Sequence, residues 1–308
     1  MFMVAFPSKM MYNGKNENKD VVYMWKQQLC LGLIKGFDID RVQQLHYIKN
    51  AGFDGFFAQW GEPGQLDVLA QEAQTLGLIF QSVHAPFHKA RDMWNDDQSG
   101  QLALDELLAC LADCHRLQVP IMVTHVYKGF DIEPPNELGI ARFGKLIEKA
   151  AGLGIKIAFE NVEGEEHLQL LFDRFGHYEH VGFCWDTGHE ICYNHSQDML
   201  QKYGQKLFAT HLNDNLGISR SDGSIFWTDD LHLLPFDGIA DWDNIAQRLN
   251  AHNFDGPLTF ELSVSSKPGR HDNDHYNQMP PEQYFALAYA RACRVAAKRG
   301  IYGISSDY

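Results

Sequence analysis

From residue 29 onward, short β-branched or apolar runs alternate with longer amphipathic stretches. The runs cover 29–34, 55–59, 79–84, 121–125, 155–160, 181–186, 207–211 and 257–261. Between them, apolar residues spaced for one buried helix face predict helices over 40–51, 65–76, 100–117, 136–152, 164–175, 196–203, 242–252 and 282–298. Gly52, Gly77 and Gly154 stand where helices must stop before the next strand. Eight strand–helix units in alternation predict a parallel sheet with helical crossovers. Eight is also the number that closes an α/β (β/α)8 TIM barrel. An open doubly wound sheet is the alternative, and it calls for a glycine-rich phosphate turn after the first strand. Gly32 and Gly36 are there, but they form no GxGxxG.

This beat assigns residues 28–299 to one barrel, with an N-terminal extension over 1–27 and a C-terminal tail over 300–308. The polar stretch 12–20 fits a loose extension, and Met24 is an expected alternative start of translation. The apolar opening, 1–6, is too short for a signal peptide. No run reaches the roughly 20 apolar residues of a membrane span. The six cysteines form no CxxC, and Cys110 and Cys114 read as packed thiols one helical turn apart, so a reduced, cytoplasmic protein is expected. At 308 residues and 45% hydrophobic, the chain is long and apolar enough to bury a large core. A formal charge of −14 repels nucleic acid and anionic membranes.

The ends of the strands carry the chemistry. Runs three to eight end in His84, His125, Glu160, Asp186, His211 and Glu261, separated by 41, 35, 26, 25 and 50 residues. Each interval is one strand–helix unit or a long version of one. A single histidine at a strand end is ordinarily a hydrogen-bonded core residue. Six such residues in succession converge on the barrel mouth, where active sites of this architecture lie. Three carboxylates buried together disfavour one another's ionisation, and a bound divalent cation relieves that conflict and explains the histidines. His189 follows Asp186 by three residues and can face the same site. Asp230 and His232 form a DxH whose side chains share one side if the loop is extended; alone, that pair reads as a solvated loop.

In this order, His84-Ala-Pro, Glu160-Asn, Asp186-Thr-Gly-His189, His211-Leu-Asn-Asp, Asp230-x-His232 and Glu261 resemble the xylose-isomerase-like TIM-barrel superfamily, over residues 29–298. That superfamily holds sugar (and sugar phosphate) isomerases and epimerases, and also apurinic endonuclease IV. The resemblance implies that Glu160, Asp186, His211 and Glu261 bind one divalent ion. It also implies that Glu160 and Glu261 act as an acid–base pair. Additional ligands of the endonuclease branch match His84, His125, His189, Asp230 and His232. One departure stands in the loop after DxH, where Phe236 replaces a usual glycine. Asp241 is expected to cap the helix that follows.

The first functional reading is therefore a metal-dependent isomerase or epimerase. It would abstract a proton next to a carbonyl and pass through an enediolate. Mn²⁺ or Mg²⁺ suits the oxygen-rich set, with Zn²⁺ or Co²⁺ as alternatives. His189 is a further catalytic candidate, placed to orient a substrate oxygen. Trp60, Phe87, Trp94 and Trp227 are expected as apolar walls, and His88, Lys128, Asn161 and Asn213 as hydrogen-bond donors to a small sugar substrate. Lys267, Arg270 and His271 lie near the usual barrel phosphate position, though a solvated loop is the plainer reading of them. A sugar (inosose-type) dehydratase with the same metal site is one alternative. A three-zinc phosphodiesterase acting on abasic DNA is another, and the neutral or acidic mouth loops oppose it. A metal-free binding module fits poorly with an intact ligand set. Homo-oligomers are common in the superfamily, and no sequence feature here establishes one.

Overall fold

The computed structural model describes residues 27–303. The expected extension with Met24 lies outside them apart from Gln27. Eight strands form the sheet: β1 (Leu29–Gly32), β2 (Gly55–Gln59), β3 (Ile79–His84), β4 (Ile121–His125), β5 (Lys156–Glu160), β6 (Val181–Asp186), β7 (Leu207–His211) and β8 (Leu258–Phe260). They lie in the order β7-β6-β5-β4-β3-β2-β1-β8, and each recorded pair is parallel. The ring is nearly closed just beyond β7. Leu212 bridges Phe260 in parallel, its N–H donates to the Thr259 carbonyl at 2.8 Å, and the Glu261 N–H donates to the Leu212 carbonyl at 3.2 Å. The fold is a TIM barrel.

The outer layer contains α1 (Arg41–Ala51), α2 (Gln65–Leu76), α3 (Gln98–Arg116), α4 (Glu137–Leu153), α5 (Glu165–Phe175), α6 (Thr187–Cys192), α7 (Met199–Tyr203), α8 (Trp242–Ala251), α9 (Asp274–Asn277) and α10 (Pro281–Gly303). Side-chain caps start several of them. Asp40, Asp97, Asn136 and Asp241 each accept a hydrogen bond from a first-turn N–H. Gly52, Gly77 and Gly154 close α1, α2 and α4 in the left-handed conformation. α10 continues to Gly303, so residues 300–303 are helix rather than tail. α6 has no counterpart among the expected helices. It has only six residues and starts directly from the end of β6, too short for an apolar periodicity to register.

Alternation along the strands divides the core. Outward-facing residues such as Ile157, Phe159, Phe183 and Trp185 join the large cluster under the helices. Inside the barrel, Val123, Ala158, Cys184 and Ala209 form a separate small-residue cluster. Two residues further along the same strands stand His125, Glu160, Asp186 and His211. The period of two that buries the small residues therefore aims the ionisable ones into the mouth.

The loop after β7 is built on Asp214, which is fully buried. Its carboxylate accepts hydrogen bonds from the N–H groups of Asn215 (2.9 Å), Phe236 (2.8 Å) and Ala240 (2.9 Å) and from the Trp242 indole (2.9 Å). Phe236 sits at φ +75°, in the region that favours glycine. Its ring packs on Trp242 and under Arg294, whose guanidinium lies 3.8 Å from the ring centre. Asp214→Ala strands several buried donors and is expected to reduce the unfolding free energy by about 3 kcal/mol in urea titration. A loss below about 1 kcal/mol would contradict this role.

Candidate active site

Glu160, at the end of β5, is the hub. Its Oε2 lies 3.1 Å from His84 Nε2 and 3.5 Å from His125 Nε2. Its Oε1 lies 3.3 Å from both His189 Nδ1 and His211 Nδ1. His211 Nδ1 in turn lies 3.0 Å from Glu261 Oε2. A second triad stands beside this one: Asp230 is 3.5 Å from His189 Nε2 and 2.9 Å from His232 Nε2. His189 thus links the two groups.

Neighbouring amides fix the carboxylates. Asn161 is fully buried; its Oδ1 accepts from the Asp186 N–H at 2.8 Å and its Nδ2 donates to the Asp186 carbonyl at 2.9 Å. Asn213 Nδ2 reaches both Asp186 oxygens, at 3.1 and 3.0 Å. Asp186 also accepts the His189 N–H at 2.7 Å as the cap of α6. Gly188 permits this close approach, since a Cβ there would lie 2.0 Å from Asn213 Oδ1. Asn161 and Asn213, expected to touch substrate, instead hold Asp186. Their side chains are spent on that carboxylate and its backbone.

The charges conflict unless something further enters. Burial pushes the Glu160 carboxyl up, yet His211, His125 and His189 hold it well below the usual carboxylate range. Burial, together with the charges of Glu160 and Glu261, drives Asp186 up to about 6 despite the nearby His189. Burial also lowers His125 to about 4, which leaves it neutral at pH 7. Glu160 Oε1, both nitrogens of His211 and Asp230 Oδ1 are buried without a hydrogen-bond partner among the described residues. Orphaned donor-set atoms of this kind fit a cation. One ligand atom each from Glu160, Asp186, His211 and Glu261 lies within 4.8 Å of the others, and the same holds for His189, Asp230 and His232, and for His84, Glu160 and His211. That spread is what ligands placed roughly 2.0–2.6 Å from a common centre allow.

A cavity of about 870 Å³ opens over these groups. Phe87, Lys128, Trp227 and Lys267 line it, as do His84, His125, Glu160, His189, Asp230, His232 and Glu261. Trp60, His88, Trp94, Arg270 and His271, five expected contacts, do not. The Trp60 indole donates to Asp113 at 2.8 Å, outside the barrel mouth. His88 is largely exposed and faces Glu106 at 3.7 Å. Trp94 is buried between helices, where its indole donates to the Val126 carbonyl at 2.8 Å. Arg270 pairs with Asp272 at 2.8 Å and His271 with Asp274 at 2.7 Å, so neither faces the cavity. Sequence reasoning missed Glu163 and Tyr193, which do line it. Glu163 accepts the Gly129 N–H at 2.7 Å, and burial pushes its carboxyl up. Tyr193 stacks on His189 at 4.9 Å. Neither is at a strand end, which is where the sequence signal lay.

A match to the family described as xylose isomerase-like TIM barrel covers residues 45–287. The chain belongs to that family. An uncharacterized protein, y4fM, of Sinorhizobium fredii (strain NBRC 101917 / NGR234) is 34% identical over 147 residues, 46% of this chain and 41% of that one. A probable endonuclease 4 of Cenarchaeum symbiosum (strain A) is 27% identical over 146 residues, 44% and 50% of the two chains. The matched stretches thus span half or less of these curated relatives. Among solved structures, an IOLI protein with a bound zinc atom superposes with a TM-score of 0.69 at 18% identity, covering 89% of this chain and 99% of that one. An L-ribulose 3-epimerase superposes with a TM-score of 0.66 at 14% identity, covering 92% and 100%. At these identities the likeness is one of fold, and the family fixes the barrel but not the reaction.

If Asn213 positions Asp186 as a ligand, Asn213→Ala should weaken Mn²⁺ binding by about 10- to 100-fold in isothermal titration. Unchanged affinity in a folded variant would show that the amide has no such role.

Proposed function

We propose that the protein is a divalent-metal-dependent isomerase or epimerase acting on a small open-chain sugar. One observation carries the reading. Glu160 and Glu261, on strands β5 and just past β8, approach the same His211 nitrogen at 3.3 and 3.0 Å beneath the cavity. Two carboxylates on different strands, at one centre, are the parts needed to take a proton from one face of a carbon and return it on another. Three carboxylates and one imidazole suit Mn²⁺ or Mg²⁺, and the zinc bound by the IOLI relative keeps Zn²⁺ open. A divalent ion there supplies the Lewis acid that stabilises negative charge as the proton leaves.

The remaining work falls to side chains. Glu160 or Glu261, according to the direction of reaction, removes the proton next to the carbonyl, and the other carboxyl delivers one. His189, held by the Asn161 carbonyl at 3.0 Å, has its second nitrogen 3.5 Å from Asp230 and stands ready to orient a substrate oxygen. Phe87 and Trp227 give the cavity apolar walls against which C–H faces of a sugar pack and exclude water. Loss of water from the same substrate carbanion would make the enzyme a dehydratase, the alternative that uses the same metal site.

A second reading is favoured by the His189–Asp230–His232 triad and by the endonuclease relative: a multinuclear phosphodiesterase for abasic DNA. The rim opposes it. Its loops 60–63 and 162–166 contain Glu62, Glu163, Glu165 and Glu166 and no lysine or arginine, where a DNA backbone calls for cations.

Incubation of the Mn²⁺-loaded protein with a ketose and aldose panel in D₂O tests the first reading. Deuterium is expected at one substrate carbon, together with an isomer or epimer visible by NMR. EDTA should abolish exchange and Mn²⁺ restore it. Glu160→Gln and Glu261→Gln should each reduce the rate by about 10²-fold or more, with bound metal measured alongside. No exchange at any carbon with metal bound would contradict the proposal, and cleavage of an abasic duplex would replace it with the second reading.

A further inference from the structure

The cavity wall carries positive charge that the ligand cluster does not use. Four cationic residues line it: Lys35, Arg41, Lys128 and Lys267. Lys267 is neutralised by Asp230 at 3.3 Å. Arg41 donates to neutral oxygens, those of Gln65 at 2.8 Å and the Gln59 carbonyl at 3.4 Å. Lys35 and Lys128 have no carboxylate within ion-pair distance among the described residues. Both ammonium groups lie over one ring, that of Phe87, with Lys128 Nζ at 4.5 Å and Lys35 Nζ at 5.9 Å from its centre. In an acidic protein, two uncompensated ammonium groups in one cavity repel each other, and an anion between them removes the repulsion.

The position relative to the reacting end is defined. The Phe87 ring stacks on His125 at 4.8 Å, and His125 Nε2 is 3.5 Å from Glu160. The lysines are thus linked to the site through one ring: both ammoniums lie over Phe87, Phe87 stacks on His125, and His125 faces Glu160. Both are also fixed at the backbone. Lys35 pairs in parallel with Ser263, and the adjoining Gly36, at φ +100°, packs so closely on Ser265 that a Cβ would lie 2.0 Å from its hydroxyl oxygen. Lys128 precedes Gly129, whose N–H is held by Glu163 at 2.7 Å. The cations at the expected barrel phosphate position are consumed elsewhere: Lys267 by Asp230, Arg270 by Asp272 and His271 by Asp274.

We infer that the substrate is an anionic sugar, bearing a phosphate or carboxylate at the end remote from its carbonyl, and that Lys35 and Lys128 bind that group. Lysine serves such a group as a point charge, and Phe87, which lines the cavity beside both ammoniums, would pack against the intervening carbon chain. This rests on the sugar-enzyme reading above and names its substrate class.

Isothermal titration of the Mn²⁺-loaded, full-length protein with D-fructose 6-phosphate, D-fructuronate and D-fructose separates the cases. At least one of the two anions should bind ten-fold or more tightly than D-fructose, and which one does so identifies the group as phosphate or carboxylate. In the double variant Lys35→Met/Lys128→Met that preference should collapse toward one, while bound manganese per chain stays at the wild-type value and reports an intact fold. Equal affinity for all three ligands, or a preference that survives in the double variant, would overturn the inference. So would binding of an abasic duplex, but of no sugar, through the same two lysines. Deuterium exchange run beside the titration keeps the two claims apart. Anion preference without exchange leaves the lysine site standing and sinks the isomerase reading, whereas exchange on neutral sugars without anion preference does the reverse.

Discussion

Everything in this molecule is arranged around the cost of burying like charges together. Glu160, Asp186 and Glu261 converge at one end of the barrel, with Glu160 and Asp186 fully out of solvent. Carboxylates that close raise one another's pKa and lose their hydration. Five histidines, three at strand ends, one in α6 and one in a loop, surround them, yet the imidazoles do not satisfy the cluster, and several of its atoms stay unpartnered among the described residues. A divalent cation among Glu160, Asp186, His211 and Glu261 would give Glu160 Oε1 and one His211 nitrogen a partner, and the donor set fits one. The surrounding structure makes sense as the scaffold that keeps the carboxylates from relaxing apart.

That scaffold is graded outward. Asn161 and Asn213 grip Asp186, and α6 begins on Asp186 itself, so strand end, cap and candidate ligand are one residue. One residue beyond Asn213, Asp214 holds the loop that leads to α8. Below, Val123, Ala158, Cys184 and Ala209 fill the barrel interior beneath the candidate ligands. Above, the aromatic and cationic wall of the cavity decides what reaches them. The candidate ligands at the floor and the cavity wall are thus supplied by different parts of each strand–loop unit, an arrangement that suits a barrel on which sites vary independently of the fold.

The barrel and the floor of its site were legible in the sequence because both follow from a period of two. Strand runs recur with helical stretches between them, and each run ends on an ionisable residue that alternation aims inward. The walls were not legible, because loop side chains obey no period. Trp60 and Trp94 are aromatic and lie near the mouth in sequence, but hydrogen bonds to Asp113 and the Val126 carbonyl draw their indoles away from it. Arg270 follows β8, as a phosphate-binding cation would, and is captured by Asp272 two residues on. Lys35 carried no sequence signal at all. It faces the cavity because Gly36 turns the chain against Ser265. Asn161 and Asn213 stand next to the site, but their amides bond Asp186 instead, Asn161 through the Asp186 backbone and Asn213 through its carboxylate.

The central claim is that the strand-end carboxylates exist to hold a metal ion. Anomalous X-ray scattering from crystals grown with Mn²⁺ tests it most directly. The account predicts a manganese peak enclosed by Glu160, Asp186, His211 and Glu261, with the unpartnered Glu160 Oε1 and one His211 nitrogen turned onto it. A map with those four side chains ordered and no peak among them, at saturating Mn²⁺, would contradict it.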